Sequence, residues 1–376
     1  MRLTLSFALN LSRLASVALA LTLPAACTQA ASRSAGSGDD TRAVSAAGPS
    51  GAPKDDGALD VAEGVAAPVS DVTSASDDGG VDVPSASEAD EAAIPTSPPP
   101  ARITSEGRVV AIGDVHGDLD ATRRALRLGG LVDDDDHWAG GHTVAVQVGD
   151  QLDRGDGERA ILDWFEVLTQ EAHDAGGAFI PLIGNHEQMN AQLDFRYVTD
   201  GGWVDFADVP GPGLVDPRVT ALPTEQRGRA AAFLPGGPYA LLLAKHNVVQ
   251  IVDATLFVHG GITPLHAALG LDALNVEHRA WLEGAGTLSA LWEESDSPVW
   301  DRTYSADTSV EACALLEETF DLLGIERLVV AHTVQDSGIN TACDGRVYRI
   351  DVGLAAHYGG PMQVLEILGG VPTILE

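Results

Sequence analysis

Five short apolar runs mark the chain from residue 109 onwards, and each run ends in a small polar segment. The runs cover 109–112, 144–148, 179–183, 256–258 and 328–331. Apolar runs of this length that stop at turn residues are typical of buried strands rather than helices. Loops that follow such strands are where a rigid scaffold presents functional side chains. We therefore predict one α/β domain from residue 105 to residue 376, with its chemistry in the loops at the carboxyl ends of the strands.

The N-terminal region follows a different pattern. Two arginines precede an apolar stretch at 14–23, which is followed by small residues and then Cys27. This order predicts a secretory signal peptide over 1–27, since the stretch is too short to indicate a membrane-spanning helix. Cys27 directly after two alanines favours lipoprotein processing; Pro24 departs from the usual aliphatic residue and leaves ordinary cleavage nearby as the alternative. We expect an exported protein at the periplasmic face of a bacterial membrane, anchored through lipid on Cys27.

Residues 28–104 are rich in Ala, Ser, Gly, Pro and Asp and carry few large apolar side chains. A segment of this composition cannot bury enough apolar surface to offset the entropy lost on folding. We therefore predict a disordered linker, whose root-mean-square span would be about 50 Å for a flexible chain of this length. Such a linker would hold the α/β domain away from the membrane.

The chain is strongly acidic, with a formal net charge of −33 from 22 basic and 55 acidic residues. A phosphate backbone repels a protein of this charge, so we do not expect nucleic acid among its partners.

The chain has three cysteines. If lipid occupies Cys27, then Cys313 and Cys343 remain as an even pair in an oxidising compartment. A disulfide between them and two separate buried thiols both fit the sequence. Cys313 lies at the start of an apolar helical pattern and Cys343 lies in a loop beyond His332, so a bridge would enclose the strand that precedes His332.

The polar segments after the five runs carry Asp, His, Asn and Arg. They are Gly-Asp-Val-His-Gly at 113–117, Gly-Asp-Gln-Leu-Asp-Arg-Gly at 149–155, Gly-Asn-His-Glu at 184–187, His-Gly-Gly at 259–261 and Ala-His-Thr at 331–333. A two-metal hydrolase needs two cations about 3.5–4 Å apart, bridged by a carboxylate and by a water that becomes the nucleophile. Mixed nitrogen and oxygen donors without thiolate indicate Mn, Fe or Zn rather than calcium.

The spacing of these residues suits such a site. Asp114 and His116 are two residues apart, so at the end of a strand both side chains can point to the same side. Asp150 ends the next strand and is placed to bridge two ions. Three further strands end in donors for the second ion, namely Asn185, His259 and His332.

Phosphate chemistry also needs groups that hold the substrate and protonate the leaving oxygen. Arg154 lies in the same segment as Asp150, and a guanidinium group binds two phosphate oxygens at once. His186 is adjacent to the predicted ligand Asn185 and can donate a proton if a carboxylate such as Asp153 orients it. The residues thus indicate a metal-dependent enzyme that hydrolyses phosphate esters.

The five segments resemble the phosphoprotein phosphatase family of the calcineurin-like metallophosphoesterases. That family has the pattern Gly-Asp-x-His-Gly, Gly-Asp-x-Val-Asp-Arg-Gly, Gly-Asn-His-Glu, His-Gly-Gly and one later His. The resemblance implies an α/β fold of four layers, a β-sandwich of two packed sheets with flanking helices. It implies one metal held by Asp114, His116 and Asp150, and a second held by Asp150, Asn185, His259 and His332.

The resemblance also assigns the remaining site residues. It implies that Arg154 binds phosphate and that His186, paired with Asp153, is the general acid. A second phosphate-binding arginine is usual before the last His of the pattern. The segment Pro-Val-Trp-Asp-Arg at 298–302 resembles that element, so Arg302 is its candidate.

Departures from the pattern indicate the branch of the family. Leu152 replaces the usual Val, and Ile183 stands where the eukaryotic Ser/Thr phosphatases carry Arg. The sequences with which those enzymes bind regulatory subunits are not recognisable, so we expect no regulatory subunit. These departures and the segment 351–360 make the chain most similar to the bacterial-type, Shewanella-like branch of the family. That branch includes phosphotyrosine and phosphoserine/threonine hydrolases.

The predicted function is the hydrolysis of phosphate monoesters, with a phosphoprotein as substrate. The alternative keeps the chemistry but changes the substrate to a nucleotide, a dinucleoside polyphosphate or another small phosphoester. An insert between Met189 and Phe257 bears on this choice, since its aromatic residues either wall the active site or pack a small subdomain. They are Phe195, Tyr197, Trp203 and Phe206.

Overall fold

The computed structural model describes residues 98–376 apart from residue 307. The predicted signal peptide and most of the predicted linker lie outside the described residues. All five apolar runs form strands, as predicted. The strands are β1 Arg102–Ile103, β2 Arg108–Ile112, β3 Val144–Gln147, β4 Ala178–Pro181, β5 Val249–Val252, β6 Thr255–Val258, β7 Arg327–Val330, β8 Asn340–Ala342, β9 Val347–Arg349, β10 Val364–Leu368 and β11 Val371–Leu375.

Helices fill most of the connections between these strands. They are α1 Leu119–Leu128, α2 Glu158–Asp174, α3 Asn185–Ala191, α4 Asp200–Asp205, α5 Pro217–Thr220, α6 Arg227–Phe233, α7 Pro238–Leu243, α8 Pro264–Leu269, α9 Leu271–Leu282 and α10 Val310–Leu323. Short 3-10 helices lie at Pro212–Val215, Thr224–Gln226 and Ala290–Glu293. Within the described part of the chain, no helix is both long and apolar enough to cross a membrane.

Two sheets form the centre of the domain. One has five strands in the order β11-β10-β2-β3-β4, with β2, β3 and β4 parallel. The other has six strands in the order β1-β5-β6-β7-β9-β8, with β6, β7 and β9 parallel. Parallel strands are covered on both faces, which explains why their sequences are continuous apolar runs without polar alternation.

The two sheets pack face to face between layers of helices. In the six-stranded sheet, Phe257 and Val329 pack in the core shared with the five-stranded sheet. Their neighbours Leu256 and Leu328 face the other way, into the core formed with α9 and α10. This alternation is the period of two expected of a strand between two cores. It gives the four-layer α/β sandwich that the resemblance implies.

The folded domain begins earlier than residue 105. β1 pairs in parallel with β5, and Ala101 is buried. Asn247 Nδ2 donates to the carbonyl oxygen of Pro99 at 2.9 Å, and Gln250 Nε2 donates to that of Pro100 at 3.0 Å. The last residues of the predicted linker are therefore part of the fold, because buried side chains of the domain satisfy their backbone carbonyls.

A disulfide joins Cys313 to Cys343, with 5.4 Å between their Cα atoms, and confirms the first of the two alternatives left open by the sequence. It connects α10 to the turn between β8 and β9. The enclosed segment of 30 residues contains β7 and His332. In the chain-entropy model, closing a loop of this length stabilises the folded state by about 3–4 kcal/mol. The bridge thereby supports the strand that carries one of the predicted metal ligands.

Candidate active site

The predicted ligands meet at one edge of the sandwich because of where the strands end. Asp114 follows β2, Asp150 follows β3, and Asn185 begins α3 after β4, all in the five-stranded sheet. His259 and His332 follow β6 and β7 of the six-stranded sheet. The carboxyl ends of parallel strands are the usual place for a binding site in α/β folds. Both sheets therefore contribute to a single cluster, all of whose members are buried.

One half of the cluster contains Asp114, His116 and Asp150. His116 Nε2 lies 3.7 Å from Asp150 Oδ2 and 3.9 Å from Asp114 Oδ2. The other ring nitrogen, Nδ1, lies 3.0 Å from the carbonyl oxygen of Leu152, to which it can only donate. The Nε2 lone pair of a neutral His116 is thereby directed at the two carboxylates, which is the arrangement a metal ligand requires.

The other half of the cluster is built around His259. Its Nε2 lies 2.9 Å from Asn185 Oδ1, 3.2 Å from His332 Nδ1 and 3.3 Å from Asp150 Oδ2. Its Nδ1 lies 3.0 Å from the carbonyl oxygen of Val148 and donates to it. Asp150 Oδ2 is thus common to both halves, as a bridging carboxylate must be.

The distances also allow His186 in place of Asp114 as a ligand in the first half of the cluster. His116, Asp150 and His186 present donor atoms within 4.8 Å of one another, as do Asp150, His259 and His332. His186 Nε2 lies 3.8 Å from Asp150 Oδ2, whereas Asp114 Oδ1 is buried without a hydrogen-bond partner. The unpartnered carboxylate oxygen favours Asp114 over His186 as the ligand.

The electrostatics of the cluster fit the binding of cations. Burial, together with the Asp351 and Asp150 carboxylates, raises the pKa of Asp114 well above its usual range. Burial lowers the pKa of His116 to about 4, and burial together with His259 lowers that of His332. These two imidazoles are neutral at pH 7 and offer lone pairs, and His332 Nε2 is buried without a partner. Clustered carboxylates and unpartnered nitrogen atoms are the donor set of a metal centre.

The backbone of the site adopts a conformation that disfavours most side chains. His116, Asp150, Asp153, Arg154 and His332 all have positive φ, between 42° and 70°. A non-glycine residue in this left-handed region stores strain that the surrounding fold must balance. In this loop, Asp150 and Asp153 contact His186, and Arg154 lines the same cavity as His116.

His186 is held by its predicted partner. Its Nδ1 lies 2.5 Å from Asp153 Oδ2, and its Nε2 lies 3.8 Å from Asp150 Oδ2. Burial alone lowers the pKa of His186, but the Asp150 and Asp153 carboxylates outweigh it and raise the pKa above its usual value. A histidine that keeps its proton near neutral pH beside the metal ligands can protonate a leaving group.

The two predicted arginines line different cavities beside the cluster. Arg154 lines a cavity of about 590 Å³ together with His116, and its Nε is buried without a partner. Arg302 lines another of about 700 Å³ together with Trp300. Arg302 Nη1 donates to the His332 carbonyl oxygen at 2.8 Å and to Thr333 Oγ1 at 2.6 Å. These contacts hold the second guanidinium next to a predicted ligand.

A family profile described as calcineurin-like phosphoesterase matches residues 107–336, which include the whole cluster. The chain belongs to this family. It is a binuclear metal-dependent phosphoesterase.

Individual relatives indicate the branch of the family to which the chain belongs. Shewanella-like protein phosphatase 2 of Arabidopsis thaliana is 39% identical over 298 residues, covering 71% of this chain and 76% of the relative. Shewanella-like protein phosphatase 1 of Plasmodium berghei is 28% identical, with 68% and 70% covered. The crystal structure of a cold-active protein-tyrosine phosphatase from a psychrophilic Shewanella species is 25% identical, with a TM-score of 0.60 over 75% of this chain and 84% of that one. The chain is thus a Shewanella-like member of the phosphoesterases.

Two buried carboxylates of the phosphoesterase site were missed in the sequence. Glu187 accepts hydrogen bonds from the backbone N–H groups of Gly184, Asp150, Gln151 and Leu152 at 2.7–3.1 Å. It therefore fixes two ligand loops to each other. Glu187 was visible as the last residue of Gly-Asn-His-Glu, but its role depends on a loop 35 to 37 residues away.

The second missed carboxylate is Asp351, which follows β9 in the six-stranded sheet. Its Oδ1 accepts from the backbone N–H of Gly353 at 3.0 Å, and its carboxylate contributes to the raised pKa of Asp114. Burial raises the pKa of Asp351 to about 6. Asp351 comes two residues after the end of β9, as Asp114 does after β2, but β9 contains Arg349 and does not form one of the five apolar runs.

Some aromatic residues of the insert line the active site, and others pack the insert as a small subdomain. Tyr197 walls the phosphoesterase site, with its ring 3.9 Å from the Arg154 guanidinium and 5.1 Å from the His186 ring. Phe206 instead packs on Phe233 inside the insert, and Phe195 packs on Trp203. The insert is therefore both a packed subdomain and one wall of the site.

Proposed function

We propose that this phosphoesterase dephosphorylates proteins, with phosphotyrosine as the preferred residue. The observation that carries the proposal is the pair of tyrosines at the metal cluster. Tyr197 covers Arg154, and the Tyr358 ring lies 5.3 Å from the His116 ring, with 37% of the residue exposed. Two aromatic walls suit the flat ring of an aryl phosphate, which can stack against them. The names of the Arabidopsis and Shewanella relatives support protein phosphatase activity.

The charge around the second cavity argues against the small-molecule alternative. Glu293, Glu294 and Asp296 line it beside Arg302, while Asp194 is paired there with Arg196. Carboxylates at this position repel the additional phosphates of a nucleotide or dinucleoside polyphosphate, whereas a peptide carries a single phosphate and can present basic neighbours. A phosphopeptide is therefore the better fit.

In this proposal each site residue has one role. Asp114, His116 and Asp150 would hold one metal ion, while Asp150, Asn185, His259 and His332 would hold the other. The donor set suits Mn, Fe or Zn. When bound, the metal ions polarise the phosphoryl group and lower the pKa of the attacking water. Arg154 and Arg302 bind the phosphate oxygens, and His186 donates the proton on Nε2 to the leaving oxygen while Asp153 holds its Nδ1.

A comparison of substrates tests the assignment. With Mn²⁺-loaded protein, kcat/KM for a phosphotyrosine peptide should exceed that for the matching phosphoserine peptide by roughly tenfold, the scale of one aromatic contact. Tyr197→Ala should reduce this preference, whereas Phe195→Ala, which removes a ring packed on Trp203, should preserve it. A higher kcat/KM for nucleotides than for either peptide would replace the proposal with the small-phosphoester alternative.

We also propose that the protein is exported and anchored at a membrane through lipid on Cys27. The support is the order of basic, apolar and small residues before Cys27. Cys27→Ser should abolish labelling by a radioactive fatty acid and move the protein from the membrane to the soluble periplasmic fraction. Cys313→Ser, which alters a cysteine of the disulfide, should leave the labelling unchanged. Membrane association that persists without labelling would contradict a lipid anchor.

A further inference from the structure

We propose that Arg229, a buried arginine of the insert, is a positioning residue that orients the general acid His186 through Asp153. The inference rests on the proposed role of His186. Arg229 lies in α6, 76 residues from Asp153 in sequence, and its side chain is completely buried. Neither the five sequence segments nor the family pattern points to it.

Asp153 divides its two oxygens between different partners. Oδ2 contacts His186 Nδ1 at 2.5 Å. Oδ1 accepts from Arg229 Nη2 at 3.3 Å and from Asn190 Nδ2 at 3.2 Å. With Oδ1 occupied by two donors, the carboxylate cannot rotate freely, so Oδ2 stays directed at His186. The contact then keeps a proton on Nδ1 and fixes the ring with Nε2 facing the metal ligands.

Arg229 is itself held from several sides. Its Nε donates to Asn190 Oδ1 at 2.8 Å, and its Nη1 donates to the Gly202 carbonyl oxygen at 3.0 Å. Both Nη atoms bind Glu158, with 2.7 Å between Nη2 and Oε1. Glu158 Oε1 also accepts from the backbone N–H of Asp153 at 2.5 Å. The Glu158 carboxylate balances the buried guanidinium, so one negative charge remains on Asp153 for His186.

This arrangement gives the insert a part in catalysis. Arg229 also contacts the rings of Phe206 and Phe233, at 5.0 and 5.1 Å from its guanidinium carbon. A merely structural arginine would hold the insert to the domain, and its replacement would lower stability without changing which substrates react fast. A positioning residue changes how strongly turnover depends on the leaving group, because His186 is needed most when the leaving oxygen is strongly basic.

The test compares Arg229→Lys with wild type on p-nitrophenyl phosphate, phenyl phosphate and ethyl phosphate. Lysine keeps the charge but loses the fork that binds Asp153 and Glu158 together. Turnover of ethyl phosphate should fall by about 10–100-fold and that of p-nitrophenyl phosphate by less than about threefold, part of the range for a general acid. Arg159→Lys is the matched control. Arg159 holds the same insert through Asp208, Tyr239 and the Asp205 carbonyl oxygen, so this variant should lower the melting temperature and keep the leaving-group dependence.

A double variant distinguishes a failure of this proposal from a failure of the proposed role of His186. In His186→Asn protein, adding Arg229→Lys should lower turnover by less than about twofold, because the group it positions is gone. Suppose that Arg229→Lys lowers turnover equally on all three substrates, while His186→Asn lowers it most for ethyl phosphate. The positioning role of Arg229 is then overturned, and the role of His186 as general acid stands. No leaving-group effect in His186→Asn overturns both. If Arg229→Lys does not fold, Asn190→Ala, which removes the second donor to Asp153 Oδ1 and the acceptor of Arg229 Nε, should give the same graded loss. Its failure to do so also overturns the proposal.

Discussion

Asp150→Asn should abolish phosphatase activity while the domain stays folded. Asp150 Oδ2 is common to both halves of the cluster, at 3.7 Å from His116 Nε2 and 3.3 Å from His259 Nε2. An amide lacks the negative charge with which a carboxylate bridges two cations. It retains an oxygen to accept the backbone N–H of His186, now at 3.0 Å from Oδ1, so the loop should keep its shape. Because metal-derived stabilisation of the transition state is worth several kcal/mol, turnover should fall by at least about 10³-fold.

Three measurements on the same preparation check this prediction. Turnover should fall by the amount given above. Elemental analysis should show a reduced metal content. Thermal unfolding should remain a single cooperative transition, which shows that the domain is folded. Asp135→Asn, which alters an exposed carboxylate in the turn 133–136, should leave activity within about twofold of wild type. Full activity in an Asp150→Asn protein shown to lack metal would refute the requirement for two metal ions.

His186→Asn should lower turnover by about 10²–10⁴-fold, the usual range for a general acid, with a metal content close to that of wild type. Asparagine can reach Asp153 with its amide, but it has no proton that it can give to a leaving group. The loss should be smaller for p-nitrophenyl phosphate than for ethyl phosphate, because a weakly basic leaving oxygen departs without a proton.

The relevant readout is turnover against the pKa of the leaving group. His173→Asn is the control, since His173 is an exposed residue of α2 beside Asp174, and it should behave as wild type. The same loss for leaving groups of very different pKa would mean that His186 positions substrate instead of protonating it.

The predicted ligands lie together in the structure because they follow apolar strands closely. Val110 and Val146 lie in strands whose burial on both faces gives a continuous apolar run, and Asp114 and Asp150 come within four residues of them. In a fold of parallel strands, that short separation is enough to bring the loops together. The strand ends and the contact between Asp153 and His186 were therefore predictable without coordinates.

The remaining features depend on distant contacts. Arg229 reaches Asp153 only after the insert has folded, and nothing near it in sequence resembles a site. Ala101 was assigned to the linker because proline-rich composition predicts an unfolded segment. The strand that follows it, β1, forms because β5 pairs with it. Asn247 and Gln250 bind the carbonyls of Pro99 and Pro100, which precede Ala101. Local composition cannot show partners about 150 residues away.

The division of the proposed metal ligands between two sheets has a thermodynamic consequence. Asp114, Asp150 and Asn185 belong to one sheet, while His259 and His332 belong to the other. An ion held by both groups binds the folded sandwich but not two separated sheets, so occupancy and folding are linked equilibria. Each tenfold rise in free metal above its dissociation constant then adds about 1.4 kcal/mol per site to the free energy of unfolding. With the proposed ligands, the concentration of free metal therefore affects the stability of the fold as well as the rate of catalysis.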